Sequence, residues 1–201
     1  MGKISGYAND STPNLSDKLI GTDVDNLNAT KNFTVASIVG LVAGSIQVNQ
    51  VLNAPSFLDQ EPLGLNSPLI VNFGAAQGTV NDDVMIDSAG KVTFNTTGLY
   101  LINGFGSVWR QGSSGGVAIF AFRSVYNGVQ SSATKTFHID STGLSIPYEV
   151  TVPIQVTAGD QFWFEVMRDS TGVDSGGLYP TALAGGWSQQ PSSQLQIWKI
   201  G

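Results

Sequence analysis

Apolar and polar residues alternate most cleanly between Ile146 and Thr157. Ile146, Tyr148, Val150, Val152, Ile154 and Val156 face one way, and Glu149, Thr151, Gln155 and Thr157 the other. A period of two over that length predicts a strand with one buried face. Pro153 has no amide to donate, so the strand lies at a sheet edge or bends there. The turn Ala158-Gly159-Asp160 leads into Phe162, Phe164 and Val166 on one side and Trp163, Glu165 and Met167 on the other. That second strand of the hairpin is apolar on both faces and calls for a further covering partner. Shorter runs at 69–73, 84–86, 91–94, 99–110, 117–126, 136–139 and 194–200 also read as strands, separated by Gly, Ser, Asn and Asp turns. No helical period is convincing after residue 48. The fold class expected is all-β, a jelly-roll sandwich over 68–201.

The first third is patterned differently. Residues 1–33 are mostly Asn, Asp, Ser, Thr, Gly and Lys, with isolated apolar side chains. Such a segment cannot bury enough surface to fold alone, so it is expected to be an arm ordered in a groove of something larger. Leu15, Leu19, Ile20, Val24, Leu27 and Phe33 are its candidate anchors to a particle. Val35, Ile38, Val39, Val42 and Ile46 recur at helical spacing behind Thr34, a possible N-cap, so one short helix is expected near 34–44. Gly44 is a candidate terminator, although Gly40 and Gly44 together also make a close-packing spacing. Residues 49–67 hold Pro55 and Pro62 among Asn, Asp and Gln and read as a linker, with Pro68 closing it.

Composition narrows the partners. Nine Lys+Arg against fifteen Asp+Glu give a net charge of −6, the opposite of what phosphate contact needs, so nucleic acid is not an expected partner. Charged residues make up only 12 %, about half the usual ~25 %, while 41 % hydrophobic residues allow a packed core. No cysteine and a single histidine leave little for a disulfide framework or a transition-metal site. The start, Met1 to Gly6, is polar at once and does not read as a secretory signal. The apolar run 35–46 is too short to cross a bilayer, so membrane insertion is not expected.

Two stretches carry a resemblance. Phe94-Asn95-Thr96-Thr97-Gly98-Leu99-Tyr100-Leu101-Ile102 resembles the F-x-x-x-G-x-Y-x-[IV] signature of the C1q and tumour-necrosis-factor-like jelly rolls. Residues 152–164, Val-Pro-Ile-Gln-Val-Thr-Ala-Gly-Asp-Gln-Phe-Trp-Phe, resemble the same family's late hairpin, and 194–200 would be its terminal strand. The resemblance implies assembly into a homotrimer. The arm is similar to N-terminal segments of tailed-phage structural and fibre proteins, through Asp17-Lys18-Leu19-Ile20-Gly21-Thr22-Asp23 and 28–35, Asn-Ala-Thr-Lys-Asn-Phe-Thr-Val. Together they imply a virion component: a head fibre, spike or compact tail-fibre protein, docked by its arm on capsid, collar or tail proteins.

Candidate chemistry is sparse. Gly112-Ser113-Ser114-Gly115-Gly116 fits G-x-S-x-G, but a strand follows where a nucleophile elbow needs a helix. His138 and Asp140 share a strand face without further soft ligands, and the Asp23-Val24-Asp25 start of a calcium loop lacks its glycine and closing glutamate. Twelve of the fifteen acids are Asp, mostly in turn contexts; Glu149 with Glu165 and Asp82 with Asp83 are the pairs a glycosidase could use. No catalytic residue, metal or cofactor is expected. Trp109, Tyr126, Tyr179 and Trp187 stand at strand ends or in Gly-rich loops, where their faces could stack on a host glycan or anchor a surface protein, or could line a seam or the core. The chain therefore reads as a non-enzymatic virion protein that displays a β head. A soluble C1q-like recognition protein and a polysaccharide-processing enzyme are the alternatives.

Overall fold

A computed structural model describes residues 14, 16, 18–23, 29–43, 48–75, 82–112 and 115–200. The chain divides into two compact units, 1–47 with 201, and 48–200. In the first, β1 (Lys18–Asp23) pairs antiparallel with β2 (Ala29–Thr34), placing Leu19 opposite Phe33. The expected arm thus contains a hairpin. The helix α1 (Val35–Ala43) follows, and Thr34 caps it: Ser37 donates its amide to Thr34 Oγ1 at 3.1 Å. Gly44 lies outside the described residues, as do Leu15, Val24 and Leu27.

The second unit is a two-sheet sandwich. Its strands are β3 (Val48–Ser56), β4 (Leu69–Ile70), β5 (Val84–Ile86), β6 (Val92–Phe94), β7 (Gly98–Trp109), β8 (Ala118–Tyr126) and β9 (Val129–Gln130). They continue with β10 (Lys135–Ile139), β11 (Ser145–Val156), β12 (Gln161–Arg168), β13 (Gly177–Leu178) and β14 (Ser193–Ile200). One sheet runs β11-β7-β14-β3, with β13 also on β7; the other runs β10-β8-β12-β6-β5, with β4 on β12 and β9 on β8. The chain crosses between sheets from β6 to β7, β7 to β8, β10 to β11 and β11 to β12, so neighbours in a sheet are seldom neighbours in sequence. That is the Greek-key weave of a jelly roll.

The alternation along β11 is realised: Tyr148, Val150 and Val156 are buried while Glu149, Thr151, Pro153 and Gln155 are exposed. Because among the described residues β11 pairs only with β7, Pro153 sits on an edge strand, where a missing donor is tolerated. The core between the sheets is aromatic, with Phe122 stacked on Phe164 at 5.2 Å and Phe73 and Phe162 edge-on to Phe164. Room for these rings comes from β7. A Cβ on Gly104 would lie 2.6 Å from the Phe164 ring, so only glycine lets the two sheets close there.

Two sequence expectations are corrected. The segment 49–67 is not a free linker: Val48–Ser56 is the outermost strand of its sheet, with Val51, Leu52 and Ala54 fully buried. Gln60 bridges to Leu178 beyond it. Pro55 is tolerated because β3 has a partner on one side only. Nor does the second face of β12 wait for a further partner. The chain's own long side chains cover it: Trp163 donates to Glu165 at 2.9 Å, Arg123 pairs with Glu165 at 2.6 Å, and Lys91 Nζ lies 4.7 Å over the Trp163 ring.

Candidate association face

The other sheet turns a different set of side chains outward among the described residues. Along β7 the outward positions alternate as Leu99, Leu101, Asn103 and Phe105, because Tyr100, Ile102 and Gly104 point into the core. Register brings Gln196 beside Asn103, Trp198 beside Leu101 and Ile200 beside Leu99 on β14, while β11 sets Pro153 beside Leu101 and Glu149 beside Phe105. One half of the face is therefore apolar, built from Leu99, Leu101, Pro153, Trp198 and Ile200. All five are half-buried or exposed.

The other half is concave and mixes polar with apolar side chains. A groove of about 620 Å³ is walled by Asn103, Phe105, Glu149, Gln190, Pro191 and Gln196. Asn103 donates its Nδ2 to Glu149 Oε1 at 3.0 Å, but its Oδ1 is shielded from water and accepts nothing. A buried acceptor without a donor costs about 1–3 kcal/mol, so this atom is an uncompensated deficit within the protomer. Tyr148, beneath the groove, also has an unpartnered hydroxyl, and burial pushes its phenol well above the ordinary range.

The four aromatics expected at a displayed surface are not gathered there. Trp109 and Tyr179 meet edge-to-face at 6.1 Å. Tyr179 is buried and donates its hydroxyl to Glu61, and burial followed by that bond raises its phenol. Its ring is part of the packing and not an open platform. Trp187 stands alone, 77 % exposed, on the loop after β13.

Tyr126 has a different task. It donates to Asp160, which also accepts from the Thr157 amide at 2.7 Å and from Asn127 Nδ2 at 2.8 Å, locking the turn between β11 and β12. The Tyr126 bond, then the Thr157 amide, then Asn127 hold the Asp160 carboxyl below its ordinary range. Its folded pKa being depressed, the stability it lends is present above the unfolded value and lost as pH falls through the folded one. Tyr126 moves the other way, from 10.0 to about 12, chiefly through the bond to Asp160. Its contribution is complete below the unfolded value and lost as pH rises through the folded one. A phenolate absorbance titration is expected to show one tyrosine at about 12 that moves toward 10.0 in Asp160→Asn; a titration curve unchanged by that substitution would contradict the assignment.

The pairs considered for catalysis do not converge. Glu149 projects from the outside of one sheet and Glu165 from the outside of the other. Asp83 is buried in an ion pair with Lys199 at 2.9 Å. Among the described residues no group of three or more His, Cys, Asp or Glu could hold a metal ion. Ser113 and Ser114 of the G-x-S-x-G string lie outside those residues. Of the arm anchors, Leu19 is half exposed and Phe33 half-buried, with Ile20 on β1 between Leu19 and Gly21.

No family model and no curated protein matches the chain. Among solved structures it is similar to the globular domain of zebrafish complement 1qA protein, with a TM-score of 0.42 and 12 % identity, covering 75 % of this chain and 94 % of that one.

Proposed function

We propose that this chain is a non-enzymatic structural protein of a bacteriophage virion, a short head fibre, spike or tail-fibre component. Its jelly-roll head assembles as a homotrimer, and residues 1–47 attach it to capsid, collar or tail proteins. The head then presents its loops to a host glycan or surface protein. The observation that carries the reading is the outer face of one sheet: among the described residues it groups Leu99, Leu101, Pro153, Trp198 and Ile200, with Leu99 and Pro153 exposed and the other three half-buried, whereas Trp163, Glu165, Arg123 and Lys91 interlock on the other face. That residues 1–47 fall in a compact unit of their own supports attachment through this segment. Its similarity to tailed-phage segments in 17–23 and 28–35 points to the kind of particle.

The test is incorporation. A chain beginning at Val48 is expected to fold and self-associate like the full chain yet be absent from purified particles in complementation. Particles carrying it at the normal level would overturn the attachment role.

A further inference from the structure

Two hairpin turns of the head are clasped through one asparagine. Asn127 and Gly128 form the two-residue turn between β8 and β9, with φ of 47° and 82°, the left-handed pair that such a turn requires. Asn127 donates its Nδ2 to Asp160 Oδ1 at 2.8 Å, and its Oδ1 accepts the Gln161 amide at 2.8 Å. Its own backbone amide donates to the Gln161 carbonyl at 2.9 Å. Both ends of the carboxamide are therefore held from the β11–β12 turn, where Tyr126 and the Thr157 amide fix Asp160 itself. Asn127 and Gly128 are nevertheless exposed, and a Cβ on Gly128 would meet nothing within 4 Å.

An asparagine followed by glycine is the pair in which a backbone amide most readily attacks a carboxamide, because glycine sets no side chain in the way. The Gly128 nitrogen loses its proton and bonds to Asn127 Cγ, and ammonia leaves. Water then opens the five-membered imide at either carbonyl, giving aspartate or isoaspartate. The attack needs a carboxamide free to turn its Cγ toward that nitrogen. We propose that Asn127 is a site of spontaneous deamidation gated by Asp160, held unreactive while the clasp is closed and converted once it opens. The product sets a carboxylate where a donor had met Asp160, so the clasp recloses only against the repulsion of two like charges. The other Asn-Gly pair of the sequence, Asn103-Gly104, lies in mid-strand on β7, paired on both sides by β11 and β14, and is expected to stay intact. The inference is independent of how the heads associate.

The experiment is incubation of the full chain at mildly alkaline pH and physiological temperature over several weeks, for wild type, Asp160→Ala and Tyr126→Phe. Mass measurement follows the tryptic peptide 124–135, in which Asn127 is the sole asparagine. The free 124–135 peptide is the ungated reference. Wild type is expected to convert at least about tenfold more slowly than that peptide, and Asp160→Ala at least about tenfold faster than wild type, as loss of a hydrogen bond to a charged group raises the open population. Tyr126→Phe removes one bond to Asp160, leaves Asn127 its own, and is expected to fall between; it carries the test should thermal melts show Asp160→Ala unfolded. Asn127→Asp, the hydrolysed product made directly, is expected to melt below wild type at neutral pH. Wild type converting as fast as the free peptide, or as fast as the folded variants, would overturn the gate. An intact Asn127 in folded Asp160→Ala while the free peptide converts would overturn the site, and Asn127→Asp melting with wild type would overturn the effect on the clasp.

Discussion

A chain beginning at Phe57 is expected to be unfolded at room temperature, while one beginning at Val48 melts as the full head does. The difference is β3 alone. Its removal strips the outer edge of β14 along eight register pairs and takes Val51, Leu52 and Ala54, all fully buried, out of the core. Burying one Val or Leu contributes about 1.5–3 kcal/mol, against a typical net stability of about 5–15 kcal/mol. The neighbours that lose their cover, Leu195 and Ile197, are themselves buried, so the deficit spreads through the sheet. Far-UV circular dichroism with a thermal melt checks this. A chain from Phe57 melting within a few degrees of the one from Val48 would show β3 to be an ornament on a core that closes without it.

Leu101→Glu is expected to abolish assembly without unfolding the protomer. Leu101 points outward from the middle of β7, beside Trp198 and Pro153. In an isolated head the new carboxylate stays in water and costs little. In an assembly it must be desolvated against apolar neighbours, a penalty of about 3–5 kcal/mol for an unpaired buried charge, which is a loss of at least about a hundredfold in association. Arg123→Gln on the opposite face removes an ion pair whose arginine is 40 % exposed, sets no second carboxylate against Glu165, and is expected to leave the mass unchanged. Gel filtration of the two variants side by side reads the difference, and equal behaviour would mean that the uncovered sheet is not the contact.

How far the chain could be read in advance followed the regularity of its patterns. The alternation from Ile146 to Val156 lies on an edge strand with one wet face, where period two is undisturbed, and the Thr34 cap is a local bond three residues long. The strand β3 hid because its pairing shifts between Ile197 and Trp198, inserting one residue so that Val51 and Leu52 are both buried. With the alternation broken there and Pro55 near its end, Val-Asn-Gln-Val-Leu-Asn-Ala-Pro-Ser looks like a linker. The candidate aromatics failed as a set for another reason. Tyr179 is drawn inward by Glu61 and by Trp109, partners far away in sequence, while Trp187, eight residues further on, is 77 % exposed. Residue type and Gly/Pro context are the same for both, so no local signal separates them. The uncovered face was legible only once register aligned Leu101 with Trp198 and set Asn103 beside Gln196. The glycines of β7 were equally silent, since Gly104 matters through Phe164 on the facing sheet.

Further copies of the same chain are expected to cover the apolar part of the outer face of the β11-β7-β14-β3 sheet. Sedimentation equilibrium of the full chain at micromolar concentration measures this directly. A single species of three times the 21.1 kDa chain mass is expected, dissociating on Leu101→Glu. A monodisperse species at 21.1 kDa across the concentration range would contradict it.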